Sequence, residues 1–93
     1  MYEVVLHRKV AKEIEGLDRS TAARIILRLR ELENNPRHGA KHLKGEYYCY
    51  WRLRVGDYRI LNSINEQARR VEVVYIWARG RAYKHRGRKR GER

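Results

Sequence analysis

Gly56-Asp57 stands between two segments, Tyr47 to Val55 and Tyr58 to Ile64, that alternate in polarity, and this pattern constrains the chain more than any other. A two-residue loop of this kind joins antiparallel strands in a tight hairpin, and loop length fixes register. If Val55 pairs with Tyr58, then Leu53 lies opposite Ile60, Arg54 opposite Arg59 and Arg52 opposite Leu61. Alternation sorts the faces: Leu53, Val55, Tyr58, Ile60 and Ile64 on one, and Tyr48, Tyr50, Arg52, Arg54 and Arg59 on the other. The first face is a core surface; the second is too polar to be one.

The segments before the hairpin supply what covers the apolar face. Tyr2 to Leu6 reads as a short strand, and Val10, Ile14 and Leu17 then recur at helical spacing, with Gly16 at the helix end. Asp18 or Ser20 caps a second helix whose stripe is Ala22, Ile25, Ile26, Leu29 and Leu32, and Asn34-Asn35-Pro36 stops it. Two helices so close in sequence form an antiparallel hairpin that needs a sheet to pack on. A last strand, Val71 to Ala78, is nearly continuous in apolar residues. Its alternation groups Val73, Tyr75, Trp77 and Arg79 on one side and Val74, Ile76 and Ala78 on the other. The fold class is α+β in the order β-α-α-β-β-β, with the helical hairpin on one face of a small, mainly antiparallel twisted sheet. One domain spans residues 1–83, and residues 84–93 form a basic, flexible tail with six basic residues and one acid.

Charge narrows function. Lys and Arg number 23 against 11 Asp and Glu in a chain of 93 residues, for a net charge of +12. Such a field attracts polyanions, nucleic acid foremost. The single cysteine, Cys49, allows no internal disulfide and is expected to pack within a strand; no segment has the length and apolarity of a bilayer span or a signal peptide. A cytoplasmic protein without a membrane role is expected.

Arg54 directly opposite Arg59 is a like-charge pair that a sheet built only for stability avoids, so an anion belongs between them. Arg52 extends the row, and Tyr48 and Tyr50 are placed to stack on unpaired bases. The competing reading is that these side chains simply spread into solvent. His7, His38, His42 and His85 are scattered, His38 and His42 reading as loop histidines, and Cys49, Ser20, Thr21 and Ser63 have no neighbouring His with an acidic orienter in sequence. No metal and no cofactor are expected. Arginines and tyrosines are the resources left. They suit RNA cleavage by the RNA's own 2'-hydroxyl, where the protein aligns the hydroxyl and stabilises charge on phosphorus. The proton-transfer step is unassigned, with a tyrosinate or His85 as candidates.

These segments, with Leu43-Lys44-Gly45, Arg54-Val55-Gly56-Asp57-Tyr58-Arg59 and an arginine four residues before a tyrosine at Arg79 and Tyr83, resemble the RelE/ParE superfamily of toxin–antitoxin toxins over nearly the whole chain. The resemblance implies a toxin of the RelE-like branch, a metal-independent endoribonuclease that cuts messenger RNA in the ribosomal A site and so blocks translation. By position it implies Arg52, Arg59, Arg79 and Tyr83 as catalytic and Tyr48, Tyr50, Arg54, Arg81, Lys84 and Arg86 as RNA-binding. The implied partners are ribosome, messenger RNA and a cognate antitoxin in a hetero-oligomer. Trp77-Ala78 departs from the family's usual Gly-His or Gly-Lys, and Tyr50 stands where some RelE-like toxins carry lysine. The alternatives are a ParE-like inhibitor of DNA gyrase and a non-catalytic RNA-binding protein.

Overall fold

The computed structural model describes residues 1–79. The elements run β1 (Glu3–Leu6), α1 (Arg8–Glu15), α2 (Arg19–Glu31), β2 (Lys41–His42), a 3-10 turn (Gly45–Tyr47), β3 (Tyr50–Val55), β4 (Tyr58–Asn65) and β5 (Arg70–Ala78). The strands form one sheet in the order β1-β5-β4-β3-β2. β1 runs parallel to β5 and the other pairs are antiparallel. This is the expected α+β arrangement of a helical hairpin on a mainly antiparallel sheet, with β2 as an additional strand.

Helix α1 stops at Gly16, whose N–H reaches back to the carbonyls of Lys12 and Glu13. Asp18, rather than Ser20, caps α2, accepting from the Thr21 N–H at 3.1 Å. Hydrogen bonding from Thr21 and then from the Ser20 hydroxyl holds the Asp18 carboxyl at about 2, below its ordinary 3.8. Val10 and Ile14 of α1 and Ile25 and Leu29 of α2 meet Leu53, Ile60, Val71, Val73 and Ile76 of the sheet in one buried cluster, joined by Leu32 just past α2. Val55, Tyr58 and Ile64 pack against its margin, as the hairpin alternation requires. Ile26 departs from the expected stripe: it is exposed at the margin of the core, lining a shallow groove with Val4, Leu6 and Leu29.

The hairpin register agrees with the sequence reading at every pair, from Val55↔Tyr58 to Arg52↔Leu61. Of the two loop residues only Gly56 has positive φ, +58°, as in turns with glycine at the first central position. Two other expectations require correction. The strand anticipated from Tyr47 begins at Tyr50, because Gly45 turns at φ +68° into the 3-10 helix. Tyr48 is therefore off the strand and Cys49 is exposed instead of packed. In β5 the alternation does not run unbroken: Leu61 pairs with Tyr75 but Asn62 with Val73, so Val74 is an extra residue in a bulge. The bulge puts Val71, Val73 and Ile76 into one core while Tyr75 and Trp77 face the other way.

Beside the bulge, Asn62 is fully buried on the helix side, and neither of its side-chain polar atoms has a hydrogen-bond partner among the described residues. A buried polar group in that state costs about 1–3 kcal/mol. Asn62→Leu should raise the denaturant midpoint without changing the slope; a lower midpoint would show that Asn62 is satisfied. Asp18 gives a pH signature. Its folded pKa lies below the unfolded value, so its contribution is complete above pH 3.8 and lost as pH falls toward about 2. The stability of the unaltered protein and of Asp18→Ala should converge across that window, and a constant gap would contradict the assignment.

Candidate nucleic-acid interface

The sheet face away from the helices is organised in rows, because paired residues point the same way. Nearest the hairpin turn, Arg54, Arg59 and Trp77 are successive partners on β3, β4 and β5. The next row runs Lys41, Arg52, Leu61 and Tyr75 on β2 to β5. A third contains Tyr50, Ser63 and Glu72, with Val5 of β1 beyond. Leu61 and Trp77 are buried although neither belongs to the helix-side cluster, so this face has an apolar floor of its own.

The electrostatics of the face are uneven. At the β1 end Arg70 pairs with Glu3 at 3.5 Å, and His7 Nε2 lies 3.1 Å from Glu72 Oε1. On the helix side Arg28 pairs with Glu31 and Arg37 with Glu66. The Tyr2 hydroxyl and Arg37 both donate to Glu66 and hold its carboxyl below the usual range. By contrast, Arg52, Arg54 and Arg59 form no ion pair among the described residues. Arg54 and Arg59 are direct cross-strand partners. Like charges so placed destabilise the hairpin, and a phosphate between them converts the repulsion into charge-assisted hydrogen bonds.

Arg79 joins this end of the sheet. Its backbone N–H donates to the Asp57 carbonyl at 2.6 Å and its Nη1 lies 3.9 Å from Asp57 Oδ1. Its side chain is 70% exposed, so the contact locates the residue without consuming its charge. Asp57, read from sequence only as a turn residue, thus also anchors the chain leaving β5.

The structure brings together Arg52, Arg54, Arg59 and Tyr50 on one face, with Arg79 beside the hairpin turn. Tyr48 does not join them by alternation: it follows the 3-10 turn, 66% exposed, at the border of the face, and its hydroxyl pKa is raised by the neighbouring Cys49. Arg81, Tyr83, Lys84 and Arg86, with His85 and the tail, lie outside the described residues. His42, read as a loop residue, is in β2 and stacks on Trp51 at 4.4 Å between ring centroids. Lys41, Tyr75 and Glu72 were missed as members of the face. A two-residue strand offers no periodicity to detect, and the bulge hides the side to which the β5 residues turn.

Chemically, the face can hold phosphates through three guanidiniums, place unpaired bases on Tyr50 and stabilise charge that develops on phosphorus. Replacing Arg54 by Gln should reduce the slope of log affinity against log salt for single-stranded RNA by about 0.7, the share of one phosphate contact. Arg30→Gln, at an exposed position of α2 on the helix layer, should leave it unchanged. Equal effects of the two would place the RNA elsewhere.

Known proteins similar to this chain share its fold. Residues 4–83 match the family described as ParE toxin of type II toxin-antitoxin system, parDE. The chain is 29% identical over 84 residues to Toxin RelE of Mycobacterium tuberculosis, covering 89% of this chain and 87% of that one. The archaeal RelE–RelB complex of Pyrococcus horikoshii OT3 superposes with a TM-score of 0.76 at 28% identity, over 87% of this chain and 98% of that chain. The isolated E. coli RelE toxin shares the fold, with a TM-score of 0.74 at 18% identity and 90% coverage of both chains.

Proposed function

Because this chain belongs to the ParE toxin family of type II toxin–antitoxin systems, we propose that it is the toxin of its module acting as a RelE-like nuclease, cutting messenger RNA on the ribosome. The observation that carries the reading is the unneutralised arginine group on the open sheet face, centred on Arg54 opposite Arg59. A protein that only had to dock on another protein gains nothing from that repulsion. A nuclease does, because pentacoordinate phosphorus carries more negative charge than the ground-state diester and is held more tightly by the same cations.

In this reading the message's 2'-hydroxyl gives up its proton and attacks the adjacent phosphorus, the P–O5' bond breaks, and the departing 5'-oxygen takes up a proton, leaving a 2',3'-cyclic phosphate and a free 5'-hydroxyl. Arg59 and Arg52 bind the non-bridging oxygens, Arg54 shares that phosphate with Arg59 from across the hairpin, and Arg79 approaches from the hairpin end. Tyr48 and Tyr50 stack on bases. Tyr83 is the proposed remaining catalytic group, and Arg81, Lys84 and Arg86 extend the RNA contact. The ribosome supplies what a small open face does not, a fixed path for the message that brings the 2'-hydroxyl into line. Cytoplasmic action follows from that substrate.

The RelE relative from Pyrococcus horikoshii was solved as a complex with RelB. By analogy the proposed partner here is an acidic antitoxin forming a hetero-oligomer, attracted by the net charge of +12.

Primer extension on a message in a purified translating system tests the nuclease step. New ends within A-site codons should need ribosomes and should fall about a hundredfold or more in Arg59→Ala, the scale for losing one group that stabilises transition-state charge. Intact message with inhibited DNA supercoiling would instead make the chain a gyrase inhibitor. Intact message with salt-dependent RNA binding alone would make it a passive binder.

A further inference from the structure

The face that attracts phosphate also carries a carboxylate. Glu72 lies in the row with Ser63 and Tyr50, and its Oε1 is held by His7 Nε2 at 3.1 Å. A second carboxylate among the described residues of this face, Glu3, sits at the outer edge and is paired with Arg70. Glu72 is different: its side chain is 37% exposed, and its second oxygen, Oε2, makes no hydrogen bond among the described residues. A carboxylate repels a phosphate, so the RNA backbone does not pass over this row. It follows the guanidiniums of Arg52 and Arg54, one and two rows away, at about 6.8 Å per row along a strand.

A base fits where a phosphate does not. Between Tyr50 and Glu72 lies only Ser63, a small side chain, and the two flanking residues are two strand spacings apart, about 9.6 Å. The row therefore forms a shallow slot with an aromatic ring on one wall, a hydroxyl on the floor and an acceptor oxygen on the other wall. Unpaired bases are recognised in this manner, by stacking on an aromatic side chain while a polar edge is hydrogen-bonded.

We propose that Glu72, positioned by His7, reads one nucleobase of the bound message by accepting a hydrogen bond from an exocyclic amino group. The inference rests on the nuclease reading. An ionised carboxylate only accepts, so it favours adenine, cytosine and guanine, which carry amino donors. Uracil has no amino group, and its single N3–H donor is flanked by two carbonyl oxygens, which the carboxylate repels. The consequence is a bias against uracil at one position a fixed distance from the cut. Discrimination by one such contact is about five-fold to a hundred-fold.

The test is the distribution of cut sites on a message library with a randomised codon, read in a translating system for the unaltered protein and for Glu72→Gln, Ser63→Leu and Arg54→Ala. The readout is the ratio of uracil to other bases within each protein's own cuts, so loss of overall activity cancels. The unaltered protein should show uracil depleted about five-fold or more at one position. Glu72→Gln, which donates as well as accepts, should remove the depletion, and Ser63→Leu, which fills the slot, should do the same. Arg54→Ala should lower cleavage at all codons alike and keep the ratio. Cutting without a uracil bias, or with a bias that both slot variants retain, overturns the inference and leaves the nuclease reading standing. A message that the unaltered protein does not cut overturns both.

Discussion

Two guanidinium groups set directly across an antiparallel hairpin repel each other, and the register that creates this contact also builds the core. The Gly56-Asp57 turn fixes Val55 opposite Tyr58, and everything further along the two strands follows. Leu53 and Ile60 then face the helices, and Arg54 necessarily meets Arg59 on the opposite side. A slip of one residue would relieve the repulsion but would also turn the apolar residues out of the core. The helical hairpin holds the arginines together by holding the register.

The site inherits its asymmetry from the strand order. β1 and the start of β5 bring Glu3, Arg70, His7 and Glu72 to one end, where Arg70 pairs with Glu3 and His7 holds one oxygen of Glu72. At the hairpin end Arg54 and Arg59 have no ion pair among the described residues, and Asp57 spends its backbone carbonyl on Arg79 while its carboxylate, 3.9 Å from the Arg79 guanidinium, stays 80% exposed. The bulge at Val74 lets one strand serve both faces, giving Val71, Val73 and Ile76 to the core and Tyr75 and Trp77 to the open side. Without the extra residue Tyr75 would share a side with Val73.

Much of this was legible in the sequence because the hairpin carries a local signal. The turn residues, the alternation and the two helical stripes each follow from short-range chemistry, and they predicted the pairing of Arg54 with Arg59. What escaped depends on contacts distant in sequence. Lys41–His42 becomes a strand only because Trp51 and Arg52 lie alongside, and Tyr48 leaves the face because Gly45 adopts a left-handed turn. Glu72 looks unremarkable in sequence until β1 places His7 next to it.

The central claim is that the Arg54–Arg59 contact is kept for an anion. A double-mutant cycle on stability, with Arg54→Ala, Arg59→Ala and the double variant, tests it directly when run without and with a short single-stranded RNA made uncleavable by 2'-O-methyl groups. Without RNA the coupling should be repulsive, by about 0.2–1 kcal/mol. With RNA it should change sign, because both guanidiniums then share one phosphate. A coupling that keeps its sign and size when RNA is added would contradict the account.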